Sequence, residues 1–461
     1  MANKPRILSV FSLVMINIIA VDSLRSLAVG AEYGYGLIFF YTIALFAFLL
    51  PIAFVSAELA TAWPHTGGIY VWTREAFGKP WALLTIWLQW IYNVVWYPTL
   101  LAFLAATVFY LWDPQLATHK LLMFFTIVTL FWTATFLNCF GMRVSSWIST
   151  LGTLIGTLLP MALIIGLSIQ WLWSGHSSQN TSHTHWLPSL SSLHDLSFFT
   201  VILFGLIGLE MSAVHAEEVQ NPSKDYPRAL LISTVVIYFT LMCASLAIVL
   251  VIPHHHLNLV TGLMDAFHIF FTTFHLEKFT ALMACFIILG GFSSMSAWII
   301  GPTKGLLVAA EDGLLPLSLQ KTNRYGVPVR ILMLQGFIVT VLSFIFLVMP
   351  TVNSSYWILS ALTAQLAMVV YLLMFAAAIR LRYHKNHIPR PYAIPGQWKH
   401  WGMWFWAGLG FFTCIFAIIV GFLPPKNINL GSTAFFESFL IVGLMVCCLL
   451  PFLIKERPPT E

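Results

Sequence analysis

Twelve stretches of about twenty apolar residues follow one another along the chain, and two of them carry charges in their middle. A run of ~20 apolar residues can cross the hydrocarbon layer of a bilayer as a helix. In that layer every backbone N–H and C=O must find its partner inside the protein, which restricts such a chain to helices or a closed barrel. The stretches cover residues 11–30, 36–60, 81–111, 121–140, 147–173, 198–214, 229–252, 279–309, 331–348, 357–379, 401–423 and 434–454. Charged residues make up 8% of the chain and hydrophobic ones 59%, against about 25% charged in a soluble domain. The fold class expected is therefore an all-α integral membrane protein with twelve transmembrane helices. Many of the 18 Trp lie at segment ends, as interfacial anchors do.

The charges inside apolar segments are the functional signal. The first segment holds Asn17-Ile18-Ile19-Ala20-Val21-Asp22-Ser23-Leu24-Arg25-Ser26, and the sixth holds Phe204-Gly205-Leu206-Ile207-Gly208-Leu209-Glu210. An ionisable side chain at membrane depth is costly and marks a substrate or ion path. Interrupted helices at corresponding positions of two halves point to a transporter's binding site. The segments divide five plus five, with repeats at roughly 7–173 and 195–381 and two appended helices at 401–454, all in one transmembrane domain. Each half then opens on a charge-bearing helix.

Lys and Arg set the expected orientation. Alternate loops carry Arg74, Lys79, Arg143, Lys224, Arg228, Lys321, Arg324, Arg330, Arg380, Arg382, Lys385, Arg390 and Lys399, and the opposite loops only Lys120, Lys278 and Lys426. Both termini fall with the basic loops, so both are expected in the cytoplasm, with the protein in the inner membrane. The segment 64–78 is too short and glycine-rich to span, so it either dips into the membrane or lies along its face. Residues 253–274 suit an interfacial helix. The six cysteines all lie in apolar segments without metal-ligand spacing and read as small buried hydrophobes. The chain has no phosphate-cradling glycine-lysine motif and no clustered basic face for nucleic acid. Neither an enzyme nor a cofactor or metal is expected; the partners are small molecules and lipid.

Several short motifs carry a resemblance. Ala57-Glu58-Leu59-Ala60, Pro64, Gly67-Gly68-Ile69-Tyr70-Val71-Trp72 and Phe77-Gly78 follow the second segment. Gly208-Leu209-Glu210-Met211-Ser212-Ala213-Val214-His215 runs into Asn221-Pro222-Ser223-Lys224-Asp225-Tyr226-Pro227-Arg228. Ser296-Ala297-Trp298-Ile299-Ile300-Gly301-Pro302-Thr303-Lys304-Gly305, then Gly326-Val327-Pro328-Val329 and Phe422-Leu423-Pro424-Pro425, complete the series. In this order and nearly end to end, they resemble the amino acid–polyamine–organocation (APC) transporters, most closely the glutamate/GABA antiporter branch. The resemblance implies a LeuT-like fold with broken helices 1 and 6, exchange of amino acids by alternating access, and a site lined by helices 1, 3, 6, 8 and 10. The chain departs from that pattern in three places. Helix 1 has Asp22-Ser23-Leu24-Arg25 in place of a glycine-rich break, Ala367 stands where an aromatic is usual, and helix 5 has Thr150, Thr153 and Thr157 but no lysine.

The half-helix ends of two broken helices suit the carboxylate and ammonium of an amino acid. The substrate-binding candidates are Ile19, Asp22, Ser23, Arg25, Phe204, Gly205, Gly208, Glu210, Trp298 and Tyr371, with Trp96 as a further aromatic wall. Asp22 and Arg25, three apart, share a face of a continuous helix. They either neutralise each other or bind substrate, Arg25 an acidic side chain or Asp22 an amine. Glu210 and Asp22 are the proton-coupling candidates; Glu210 is alternatively the structural partner of Arg25. The expected function is secondary-active exchange of glutamate/GABA-like or small neutral amino acids. The alternatives are a proton-coupled amino-acid symporter and a non-transporting amino-acid sensor built on a carrier fold.

Overall fold

A computed structural model describes residues 8–64, 67–140, 152, 154–178, 196–394 and 400–453. Thr150 and Thr153 lie outside the described residues, as does most of the polar loop after the fifth apolar stretch. The described part is helical and has no sheet.

The first apolar stretch is two helices, α1 (Val10–Val21) and α2 (Leu24–Ala31), bent by 46°. Ser9 caps α1 by accepting from the Ser12 amide at 3.3 Å. Then follow α3 (Gly34–Ala62), the short α4 (Ile69–Phe77), α5 (Lys79–Phe109), α6 (Lys120–Asn138) and α7 (Leu154–Trp173). The second half contains α8 (Ser197–Phe204), α9 (Pro222–Val251), α10 (Gly262–Thr273), α11 (Thr280–Glu311), α12 (Val329–Val348) and α13 (Val352–His384). The last two helices are α14 (Trp401–Gly421) and α15 (Thr433–Leu453). Ten helices among the described residues are long and apolar enough to cross a membrane, or eleven if the bent pair is one span. The expected count of twelve includes residues 198–214, where the structure has only a short apolar helix that stops at Phe204.

Helices α5 and α13 form the buried axis of the bundle and pack on each other. α15 lies at the periphery, with Val442, Met445, Leu449 and Leu453 exposed. These are lipid-facing positions, where apolar exposure carries no penalty. Gly156 on α7 meets Gly290 on α11 backbone to backbone; a Cβ on either would overlap the other's main chain.

The segment 64–78 does not span. It forms α4, bounded by Gly68 (φ +50°) and Gly78 (φ +90°), with Ile69, Tyr70, Trp72 and Ala76 buried against α5 and α13. An ion-pair network gathers at this basic end of the bundle. Glu58 on α3 takes Arg382 on α13 as well as Arg390 Nε at 2.9 Å and the Ile394 amide at 2.9 Å. Lys385 bonds Glu75 at 2.9 Å, and Arg74 lies 3.4 Å from Asp312. At the other end, α10 packs its apolar face, including Phe267, Phe270 and Phe271, onto the bundle. His254 Nε2 there lies 2.8 Å from the Glu32 carbonyl oxygen.

Candidate functional site

The break in the first stretch is local and well compensated. α1 ends at Val21, Asp22 and Ser23 take extended dihedrals, and a short 3₁₀ turn at Leu24–Ser26 restarts the helix. Two side-chain hydroxyls brace the restart. Ser26 Oγ donates to the Ser23 carbonyl at 2.7 Å, and Tyr356 OH to the Arg25 carbonyl at 3.2 Å. In the sixth stretch α8 stops at Phe204, and Gly208 takes φ +113° before a 3₁₀ run from Leu209 to Glu218. The Gly208 N–H donates to Tyr371 OH at 3.0 Å. A side chain at Gly208 would be strained twice, by that left-handed φ and by a Cβ 3.1 Å from the Ala20 carbonyl oxygen.

The two interruptions meet around a cavity of about 40 Å³. Asp22, Ser23, Arg25 and Ser26 line one side, Phe204 and Gly205 another, and Trp96 and Trp298 two more. A second pocket of about 20 Å³ lies beyond the Asp22–Arg25 segment, toward Thr157 and Gly290. Ligand clefts run to about 300–1,000 Å³, so this conformation holds a few waters at most and must widen to admit an amino acid.

Arg25 is the central group. Its guanidinium is buried, and Nη1 donates to Tyr356 OH at 2.9 Å, Thr99 Oγ1 at 3.2 Å and Ser360 Oγ at 3.4 Å. The rings of Trp96, Phe204 and Tyr356 surround it at 5.5–5.9 Å. Among the described residues no carboxylate stands within 4 Å, and Nε has no partner. Hydroxyls and ring faces soften a buried cation but do not neutralise it.

Neither ion pair weighed as an alternative for Arg25, with Asp22 or with Glu210, forms among the described residues. Sharing a helix face requires an unbroken helix, and the extended residues at Asp22 and Ser23 rotate the two side chains apart. Asp22 instead accepts from Thr240 Oγ1 on α9, at 3.0 and 3.3 Å to its two oxygens. Glu210 takes Tyr371 OH on Oε2 at 2.6 Å. Its Oε1 is buried and unpartnered.

Of the ten sequence candidates, Asp22, Ser23, Arg25, Phe204, Gly205 and Trp298 line the cavity. Gly208, Glu210 and Tyr371 form an adjoining cluster behind it, and Ile19 lines neither pocket. Sequence reasoning missed Tyr92, Asn93 and Ser294 on the cavity wall, and Thr99, Tyr356 and Ser360 around Arg25. Tyr356 and Ser360 are four apart on one face of α13, a spacing that carries a signal only once a cation is known to face it. The side chains of His215, Glu217 and Glu218 lie outside the described structure. Among the described residues no group of three or more His, Cys, Asp or Glu is placed to hold a metal.

A multi-pass helical bundle, with a buried polar cavity where two interrupted helices meet, defines a membrane carrier of small molecules. The comparisons give the family. The amino acid permease model matches residues 8–447, and the chain belongs to that family within the APC superfamily. It is thus an amino-acid transporter. It is 53% identical to an uncharacterised transporter of Legionella pneumophila over 457 residues, covering 99% of this chain and 98% of the relative. It is 30% identical to a glutamate/gamma-aminobutyrate antiporter of Lactococcus lactis subsp. lactis over 427 residues, 91% of this chain and 84% of the relative. A probable agmatine/putrescine antiporter of the same bacterium is 27% identical over 398 residues, 86% of this chain and 84% of the relative.

Proposed function

We propose that the protein is an amino-acid antiporter whose substrate presents a carboxylate to Arg25, with acidic or small neutral amino acids as the exchanged class. One observation carries the reading: a buried guanidinium held by three hydroxyls and three aromatic rings, with no carboxylate within 4 Å among the described residues. Burying a charge without its counter-ion costs several kcal/mol, and a substrate carboxylate removes that cost on binding. A guanidinium also grips a carboxylate bidentately, which an ammonium does not. Asp22 lines the same cavity and suits the substrate amine. Antiport is supported by the relatives at about 30% identity, whose names are those of antiporters.

A second reading keeps the same site and adds a proton. Glu210 is a buried carboxylate with one bonded and one free oxygen, and it sits on the 3₁₀ run that follows the Gly208 turn. A proton taken up there couples to that segment, which makes the protein a symporter or a proton-linked exchanger. The location that fits either reading is a bacterial inner membrane with both termini cytoplasmic, supported by the basic loops. The five-plus-five repeat over 7–173 and 195–381 gives each half one of the two interruptions.

Counterflow in proteoliposomes tests the proposal. Vesicles are loaded in turn with glutamate, GABA and each common amino acid, and uptake of labelled glutamate is followed with and without a proton gradient. Exchange predicts uptake only into loaded vesicles. Gradient-driven uptake into empty vesicles favours the symporter, and binding without flux favours a sensor.

A further inference from the structure

Two helices contain a proline late in their course, Pro302 in α11 and Pro451 in α15. Proline has no N–H, so the carbonyl four residues earlier loses its helical partner. Those carbonyls belong to Trp298 and Cys447. Both are rescued from the same helix: Tyr97 OH on α5 donates to the Trp298 carbonyl at 2.9 Å, and Trp87 Nε1 on α5 donates to the Cys447 carbonyl at 3.0 Å.

The two repairs are chemically alike and differ in what they hold. Cys447 lies on the peripheral α15. Trp298 is a wall of the central cavity. Its ring meets Trp96 edge-on at 6.2 Å, and its Cζ2 would stand 3.5 Å from a Cβ at Gly208, at the turn of the sixth stretch. Tyr97 is fully buried, packs on Trp96 and Phe131, and does not line the cavity.

We propose that Tyr97 is a positioning residue for the substrate site: its hydroxyl fixes the α11 backbone at the proline gap and thereby sets the Trp298 indole against Gly208 and Trp96. Without the hydroxyl, a carbonyl in apolar surroundings has no donor. α11 then re-bends at Pro302 to relieve it, and the indole shifts with its backbone. The assignment rests on reading the cavity as the transport site.

The test is a set of full-length variants in proteoliposomes: Tyr97→Phe, Tyr97→Phe with Pro302→Ala, and Trp87→Phe. The readouts are the KM and maximal rate of labelled glutamate counterflow into GABA-loaded vesicles, and the melting temperature. Tyr97→Phe is expected to raise KM about tenfold with little change in maximal rate, and to lower the melting temperature. Pro302→Ala in that background supplies an amide N–H to the same carbonyl and restores both. Trp87→Phe lowers the melting temperature and leaves KM as it was. An unchanged KM in Tyr97→Phe, an equal rise in Trp87→Phe, or no restoration by Pro302→Ala overturns the proposal. If the wild type shows no flux under any load, the transport reading fails. The melting temperatures then decide the bond: restoration by Pro302→Ala upholds it, and its absence overturns it.

Discussion

Asp22 and Arg25, three residues apart, face different helices across a break. The Asp22 carboxylate accepts from Thr240 on α9 at 3.0 Å, and the Arg25 guanidinium donates to Tyr356 on α13 at 2.9 Å. A continuous helix would stack them, and they would neutralise each other. The extended backbone at Asp22 and Ser23 keeps the charges separate, with the cavity lined by both. The proposed amino-acid substrate would meet both groups once the cavity widens.

Glu210 and Asp22 differ as proton carriers. Each accepts at most one hydroxyl proton, Asp22 from Thr240 and Glu210 from Tyr371, and of the two only Glu210 sits on the 3₁₀ run that follows the Gly208 turn, where a bound proton couples to backbone shape. Glu210→Gln preserves the shape and the Tyr371 bond but cannot ionise. It is expected to abolish the response of uptake to an imposed pH gradient, while Asp22→Asn keeps that response. Flux measured against gradient size in the two variants checks this, and a full gradient response in Glu210→Gln would exclude it as the carrier.

The ion pairs at the basic end are unequal. Glu58 is buried beneath Arg382 and Arg390, while Arg74 and Asp312 are each more than one-third exposed. Removing one partner of a buried pair costs about 3–5 kcal/mol, and an exposed pair is worth about 0–1 kcal/mol. Glu58→Ala is therefore expected to lower the melting temperature markedly and Arg74→Ala hardly at all. Thermal unfolding in detergent separates them.

Glu32, in the turn between α2 and α3, gives stability a pH dependence. Burial pushes its carboxyl from the ordinary 4.5 up to about 7, opposed by a hydrogen bond from the Asn427 side chain. The folded protein therefore holds this proton more tightly than the unfolded chain does. Its contribution is complete below about pH 4.5 and is lost as the pH rises through 7, a change on the order of 3 kcal/mol at most. Glu32→Gln should flatten that part of the melting-temperature profile between pH 5 and 8. An identical slope in the variant would assign the effect to other groups.

Helical class and the place of the candidate cavity were legible in the sequence because both follow from cost. Long apolar runs have few ways to satisfy a backbone in lipid, and Asp22, Arg25 and Glu210 stand out where charge is expensive. The partners of those charges were not legible. Thr99, Thr240, Tyr356 and Ser360 are ordinary membrane-helix residues until the fold turns them toward a charge. Of the two alternatives left open for Asp22 and Arg25, mutual pairing is absent for a local reason, since spacing along a helix says nothing across a break. The segment 198–214 counts as a span by composition and is expected to carry an interruption at 205–210; its helix ends at Phe204, with Gly208 at φ +113°.

The central claim is that Arg25 receives a substrate carboxylate, and removing its side chain tests it most directly. Labelled glutamate counterflow would be measured for wild type and Arg25→Ala at matched insertion and melting temperature. Loss of glutamate exchange of at least about a hundredfold, from a charge-assisted contact worth about 3 kcal/mol, is the predicted result. Unchanged rate and selectivity in Arg25→Ala would contradict the account.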